Sequence, residues 1–298
     1  MVSCILGCAA AFGQWSNDPA KNLLIWGEER SFYSSWMQPT PDGNLWLALD
    51  YPTPTGVHVA LTLLDTAGNY LLDEPFYFDD YQTRTWTSYS DVLYVDNQGN
   101  AIIAVYDQRF SDEGYESYTV YKVSQEGEFL WGKNGISLES EDRVYDLCAA
   151  MKMVQLSDNS YVFAWMHNRP TNLNMMSIEM QRLSEDGELL WNADDMRFES
   201  ETTSYQYPFL VDAGMGQVIL IYAKGTSQDL YARKIDFDGT SVWSEDTRVY
   251  NGGWGSIPIW TLLSVSPAGD GGAILSWNDD RYFTNIESAY MAYLKPNV

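Results

Sequence analysis

The sequence predicts an all-β chain of five repeated four-stranded antiparallel units, and three observations carry that prediction. The apolar runs are short, aromatic residues are abundant, and one turn motif returns at a nearly constant interval. Aromatics make up 15% of the 298 residues, with 12 Trp and 21 Tyr, and hydrophobic residues 45%, which is ample material for a packed core. Clusters of Asp, Asn, Gly and Ser break the apolar runs, and no long stretch keeps a helical period, so the runs read as strands.

At the N-terminus, Met1 to Gly13 is apolar and rich in small residues up to Ala11-Phe12-Gly13. It has the form of the end of a secretory signal peptide cut before Gln14, although no basic n-region precedes it. Ile5-Leu6-Gly7-Cys8 also has the form of a lipobox, in which Cys8 is acylated. Residues 1–13 are therefore expected to be a signal-peptide remnant and 14–298 a single domain that is secreted, periplasmic or on the outer cell surface. Cys148 is then the one thiol of the mature chain, which excludes a disulfide framework. Beside Leu147 and Ala149 it reads as a small buried hydrophobe. No later run has the ~20 apolar residues of a membrane-spanning helix.

The first repeated turn is Asp42-Gly43-Asn44 before Leu45 to Leu49, then Gln98-Gly99-Asn100 before Ala101 to Tyr106, and Asp158-Asn159-Ser160 before Tyr161 to Met166. It returns as Met215-Gly216-Gln217 before Val218 to Tyr222 and Asp270-Gly271-Gly272 before Ala273 to Trp277. The central positions 43, 99, 159, 216 and 271 are spaced by 56, 60, 57 and 55 residues. A second turn keeps the same phase at Thr66-Ala67-Gly68, Gln125-Glu126-Gly127, Glu185-Asp186-Gly187 and Phe237-Asp238-Gly239, where Gly supplies the positive φ of a tight hairpin. The last three lead to Trp131, Trp191 and Trp243, each expected between neighbouring units.

Each unit thus has one strand before the first turn, one after it, and two flanking the second turn. Four short strands per repeat with tryptophan at a fixed phase is the pattern of β-propeller blades. In the fifth unit Ser288 to Leu294 is present but the outermost strand is not, while Asn22 to Tyr33 precedes the first unit in the phase of a fourth strand. The expectation is a five-bladed ring closed by that N-terminal strand; an open array or a piece of a larger ring is the rival.

Two segments carry a resemblance. Asp270-Gly271-Gly272-Ala273-Ile274-Leu275-Ser276-Trp277-Asn278-Asp279-Asp280-Arg281 and Lys122-Val123-Ser124-Gln125-Glu126-Gly127-Glu128-Phe129-Leu130-Trp131-Gly132 resemble the two halves of a repeat in secreted bacterial β-propeller proteins, many of which end in a type IX secretion sorting domain. The resemblance implies export and a propeller fold, and little about chemistry. The chain departs from it in having no sorting domain before Val298 and in Ala223-Lys224-Gly225-Thr226, where other units carry an acidic or polar pair and Arg. The hairpin Ser184 to Trp191 is also similar to the Asp-box of sialidases with the wrong spacing, and reads as structural.

The net charge of −24, from 41 acidic and 17 basic residues, opposes a phosphate backbone and excludes nucleic acid as a partner. The loop after each second strand is the place for a ligand, because propeller pockets form where loops of several blades converge. Eight residues past the first turn stand Tyr51, Asp107, His167, Lys224 and Asp279, with Arg109, Arg169 and Arg281 two residues further in three units. Asp–Arg pairs that fix loops account for the repeated members; Tyr51, His167 and Lys224 break the pattern and mark a ligand side. Trp36, Trp46, Trp86 and Trp254 fall outside the repeated Trp position and are candidates for stacking on sugars.

The expected function is a binding or interaction module for an extracellular glycan or protein. The alternative is a glycoside hydrolase with Asp107 and Asp279 as its two carboxylates. Calcium is a possible ligand of Asp236-Phe237-Asp238-Gly239 or Asn278-Asp279-Asp280, although no complete EF-hand loop occurs; no other cofactor is expected. With only His58 and His167, a His-rich zinc site or serine triad is not supported. His58, in an alternating run with Val57, Val59 and Leu61, is expected on a strand face. There is no P-loop or dinucleotide-binding glycine fingerprint.

Overall fold

The computed structural model describes residues 18, 23–25, 34–53, 56–78, 93–107, 117–138, 148–169, 172–192, 196–225, 229–250, 263–279 and 288–297. They form five antiparallel sheets, each paired in chain order. The first holds β1 (Ser34–Pro39), β2 (Leu45–Thr53), β3 (Gly56–Leu64) and β4 (Phe76–Tyr77), and the second β5 (Leu93–Val95), β6 (Ala101–Asp107), β7 (Ser117–Val123) and β8 (Ile136–Ser137). The third holds β9 (Cys148–Gln155), β10 (Tyr161–Arg169), β11 (Asn172–Leu183) and β12 (Arg197–Phe198), and the fourth β13 (Tyr205–Gly214), β14 (Gln217–Lys224), β15 (Asp229–Ile235) and β16 (Thr247–Tyr250). The fifth has three described strands, β17 (Ser264–Pro267), β18 (Ala273–Asp279) and β19 (Ser288–Leu294). The expected closing strand, Asn22 to Tyr33, lies outside the described residues except for Leu23, Leu24 and Ile25, which are not in a strand, and the Met1–Gly13 segment lies wholly outside.

First strands of successive sheets lie side by side, β1 with β5, β9 with β13, and β13 with β17. The sheets therefore stack face to face as blades, and the second strands of blades 1 to 4 are apolar on both faces. In β14, Val218, Leu220 and Tyr222 pack on blade 3, while Ile219, Ile221 and Ala223 pack on blade 5. A strand buried on both faces reads as a continuous apolar run rather than an alternating one, which explains Val218 to Tyr222 and Ala101 to Val105. Four seams result, between blades 1 and 2, 2 and 3, 3 and 4, and 4 and 5. Cys148 is buried in the second of these, as expected of a small hydrophobe, and His58 is buried on β3.

The second turns share one geometry. In Asp65–Asn69 the Asp65 amide donates to the Asn69 carbonyl at 2.8 Å and the Gly68 amide to the Asp65 carbonyl at 3.0 Å. The same pair recurs at Ser124–Glu128, Ser184–Glu188 and Asp236–Thr240. Its fourth residue is always glycine, at φ between +85 and +88, where any side chain is strained. The blade 4 first turn differs: Met215 (φ 56) and Gly216 (φ 77) form a two-residue loop closing the Gly214–Gln217 pair, the positive-φ form that suits a tight hairpin.

Trp131, Trp191 and Trp243 lie between blades, as the repeat predicts, and each donates its indole N–H to a carbonyl of the next blade. Trp131 reaches Glu185 at 3.0 Å, Trp191 reaches Phe237 at 2.9 Å and Trp243 reaches Pro296 at 3.2 Å. A Cβ on Gly187 would come within 2.8 Å of Trp131 Cδ1, so glycine serves both the turn and the neighbouring ring. Blade 1 has Leu72 at this position, packed against Gly127. There Trp46 of β2 makes the inter-blade bond instead, to Gly99 O at 2.9 Å. Trp46 is fully buried and so is no sugar platform. Trp36 is half-buried against the same seam, and Trp86 and Trp254 lie outside the described residues.

A second latch lies at the same end. The penultimate residues of the third strands, Lys122, Arg182 and Lys234, are each buried and face the next blade. Lys122 Nζ lies 3.0 Å from Asp96 Oδ2 and donates to the Tyr161 hydroxyl at 2.7 Å, and that hydroxyl donates to Asp96 at 3.1 Å. Burial, then the Asp96 charge, pushes the Tyr161 phenol well above its ordinary range, so it stays a donor. Arg182 bonds Ser160 and the Phe237 carbonyl, and Lys234 bonds the Gly271 carbonyl at 2.9 Å.

Candidate functional site

The turns occupy one end of the blades, and the exits of the second strands occupy the other. Tyr51, Asp107, His167, Lys224 and Asp279 stand at those exits, and His167, Lys224 and Asp279 lie on the strand face directed at the preceding blade in the alternation of their strands. The side chains of Tyr51, Asp107 and Arg169 and the whole of Arg109 and Arg281 lie outside the described residues. The three described side chains sit in three different seams, as polar groups closing apolar interiors, rather than converging on one another.

Asp279 is fully buried and accepts the Trp277 indole N–H at 2.8 Å. Trp277 in turn packs edge-on against Tyr250, centroids 5.8 Å apart. His167 is buried beneath the blade 2–3 seam, its Nδ1 3.1 Å from the Asn168 carbonyl and its Nε2 3.9 Å from Glu179 Oε1. Glu179 is also held by Arg197 from β12. Tyr118 and Trp165 lie edge to face in this seam, at 6.2 Å.

Lys224 is the half-buried member, with 31% of its side chain accessible. Its ammonium lies 5.3 Å from the centre of the Tyr205 ring and 5.2 Å from that of Tyr231, within the range of cation–π attraction. Its anion is Asp246, at 3.5 Å, which Arg233 also binds at 2.6 Å. The Arg233 guanidinium covers Phe198 of blade 3 at 5.0 Å, and Asp229 pairs with Arg248 at the same edge. Burial opposes ionisation of Asp246, but the Tyr222 hydroxyl, Arg233 and Lys224 outweigh it and hold the carboxyl below its ordinary value. The Tyr222 phenol is pushed far up by burial and by Asp246.

The first strands beside this seam are kinked. Ala150 in β9 and Tyr207 in β13 have φ of 55 and 52, each at a break in register with the neighbouring strand. Both stand nine residues before their first-turn position, 159 and 216, so the bulge is a repeated feature of blades 3 and 4. Such bulges re-aim side chains, and non-glycine residues hold this conformation only where the surroundings impose it.

Among the described residues no group of three or more His, Cys, Asp and Glu is placed to hold a metal ion. In the turn considered for calcium, Asp236 accepts from the Phe237 amide and Asp238 from the Thr240 amide and hydroxyl. Position in the repeat found Lys224 but missed Tyr205, Tyr231, Arg233, Asp246 and Glu179. The available signal was parity: Tyr222 and Lys224 share a face of the sheet, and Tyr231 and Arg233 share that same face in the next strand.

No family model and no curated protein matches the sequence. Among solved structures, the Penicillium chrysogenum alpha-L-arabinanase complexed with arabinobiose aligns with a TM-score of 0.52 at 12% identity, over 86% of this chain and 79% of that one. Polysaccharide lyase Uly1 aligns with a TM-score of 0.50 at 10% identity, over 96% of this chain and 61% of that one. A protein of unknown function from Dyadobacter fermentans gives 0.49 at 10% identity, over 91% and 84%. At such identities the likeness is one of fold: the chain is an all-β propeller of the architecture found in carbohydrate-active proteins.

Proposed function

We propose that this chain is an extracellular glycan-binding propeller that holds its ligand without cleaving it. The observation that carries this reading is the mouth of the blade 3–4 seam, where half-buried Tyr205 and Tyr231 flank the accessible Lys224. Aromatic faces beside a polar group suit sugar rings, which present an apolar face and a hydroxylated edge. The arabinanase bound to arabinobiose and the polysaccharide lyase support a sugar polymer as the ligand class, although a shared fold alone does not carry function. The apolar, small-residue Met1–Gly13 supports export.

Hydrolysis by a carboxylate pair needs two acids facing one cavity, roughly 5 to 9.5 Å apart. Asp279 is shut under the Trp277 indole, and Glu179 and Asp246 are engaged by arginines in different seams. These placements favour binding over cleavage by those residues. The test is a glycan array probed with the full chain, together with a reducing-end assay on every glycan retained. Retention without new reducing ends is the expected result; release of reducing ends, or no retention at all, overturns the reading. Recovery of the protein solely from the cytoplasm of its native cells overturns the extracellular part.

A further inference from the structure

Resting on the glycan-binding reading, we propose that the Lys224 seam mouth is a subsite for a single carboxylated sugar, a uronic acid within an otherwise weakly charged glycan. At this edge Lys224 and Arg233 pair with Asp246, and Arg248 pairs with Asp229. These ion pairs sit on a chain whose net charge is −24, so an accessible ammonium here is a local cation in a negative field. Asp229 is matched by Arg248, which leaves Asp246 shared between Arg233 and Lys224. Arg233 holds it at 2.6 Å and Lys224 stands off at 3.5 Å.

The ammonium of Lys224 is thus the less committed cation. The Tyr205 and Tyr231 rings approach it without supplying an acceptor for its N–H groups, and its side chain is 31% accessible. An incoming carboxylate would take those donors in a charge-assisted bond, while its pyranose ring would lie against a tyrosine. The net charge of −24 limits the ligand: a single carboxylate meets the Lys224 ammonium, whereas a long polyanion would meet the repulsion of the whole surface. Beyond the Debye length of about 8 Å at physiological salt that repulsion is screened, so an isolated uronate is admitted. The bulge at Tyr207 lies in β13, two residues past Tyr205, at the register shift between Gln206 and Phe209.

The experiment uses matched trios of oligosaccharides, each as the uronic acid, its methyl ester and the neutral hexose, over several backbones, with sulfated counterparts as a further arm. The full chain is compared with Lys224→Met and Lys224→Arg, each checked for an unchanged melting temperature and near-UV dichroism. The expected result is tighter binding of an acid than of its ester by about 10- to 100-fold, the worth of one hydrogen bond to a charged group. Lys224→Met removes that preference and Lys224→Arg retains it. Equal binding of acid, ester and neutral forms overturns the subsite and leaves the glycan-binding reading intact. Preference for sulfate over carboxylate, or an acid preference that survives Lys224→Met, also overturns it. Failure of the wild-type chain to bind any sugar overturns the parent reading itself.

Discussion

At the turn end, the seams between blades 2 and 3, 3 and 4, and 4 and 5 close with one device, an indole N–H given to a main-chain carbonyl of the next blade. At the exit end the same three seams close on different groups: His167 beside Glu179, Lys224 between two tyrosines, and Asp279 under Trp277. A main-chain acceptor is present whatever the sequence, so one donor at one phase serves every seam. A side-chain partner must be matched case by case, and a position that varies from blade to blade is free to carry recognition. The latched end explains why the blades stack, and the varied end is where they differ in what they can bind.

The largest effect that sharpens this contrast is expected in the buried Lys122–Asp96–Tyr161 latch. Asp96→Ala leaves the Lys122 charge without its anion in a site where both side chains are almost fully buried, at a cost of about 3–5 kcal/mol. Urea unfolding followed by tryptophan fluorescence measures it; a loss under about 1 kcal/mol would show that the latch is incidental. Next comes Gly187→Ala, which puts a side chain at φ +88 and 2.8 Å from Trp131 Cδ1. Backbone strain of about 1–3 kcal/mol and crowding of similar size are expected to lower the midpoint, and Gly132→Ala, at positive φ but with no neighbour within 4 Å, should show the strain alone. Equal losses in the two variants would mean that the Trp131 contact is slack.

At the exit end, Trp277→Phe removes the donor to buried Asp279 and is expected to cost about 1.5–3 kcal/mol, again by urea unfolding, less than the turn-end change at Asp96. A larger loss than Asp96→Ala produces would reverse the comparison. The smallest effect concerns acid. Asp246 has a folded-state pKa below its ordinary value of 3.8, so its pairing stabilises the fold above that value and is lost as pH falls through the depressed one. Thermal melts from neutral pH into this acid range should therefore fall less steeply for Asp246→Asn than for the wild type. Superimposable pH profiles would remove Asp246 from the account.

Much of the architecture was legible because it depends on short-range chemistry. The Gly positions of the turns need positive φ, and the five first-turn positions recur at 55 to 60 residues, so they announced five units. The predicted strands at Ala101 to Tyr106 and Ser288 to Leu294 were found as β6 and β19. Trp46 was misread because its phase differs from that of Trp131, yet it makes an equivalent inter-blade bond from a different strand. Phase along the chain does not reveal which strand supplies a donor to a given point in space. The pairings of Lys224 with Tyr205, Tyr231 and Asp246 span 19, 7 and 22 residues, and involve all four strands or strand ends of blade 4.

The sequence by itself determined the all-β class, the count of five units and the turns that separate their strands, because backbone preference and apolar patterning act locally and repeat with the chain. Only the tertiary structure decided that Asp279 is a sealed hydrogen-bond acceptor, that His167 faces Glu179, and that Lys224 stands accessible between aromatic rings. Those outcomes depend on which side chains other strands and the preceding blade bring to the same point, and that is fixed by the stacking of sheets rather than by any interval along the chain.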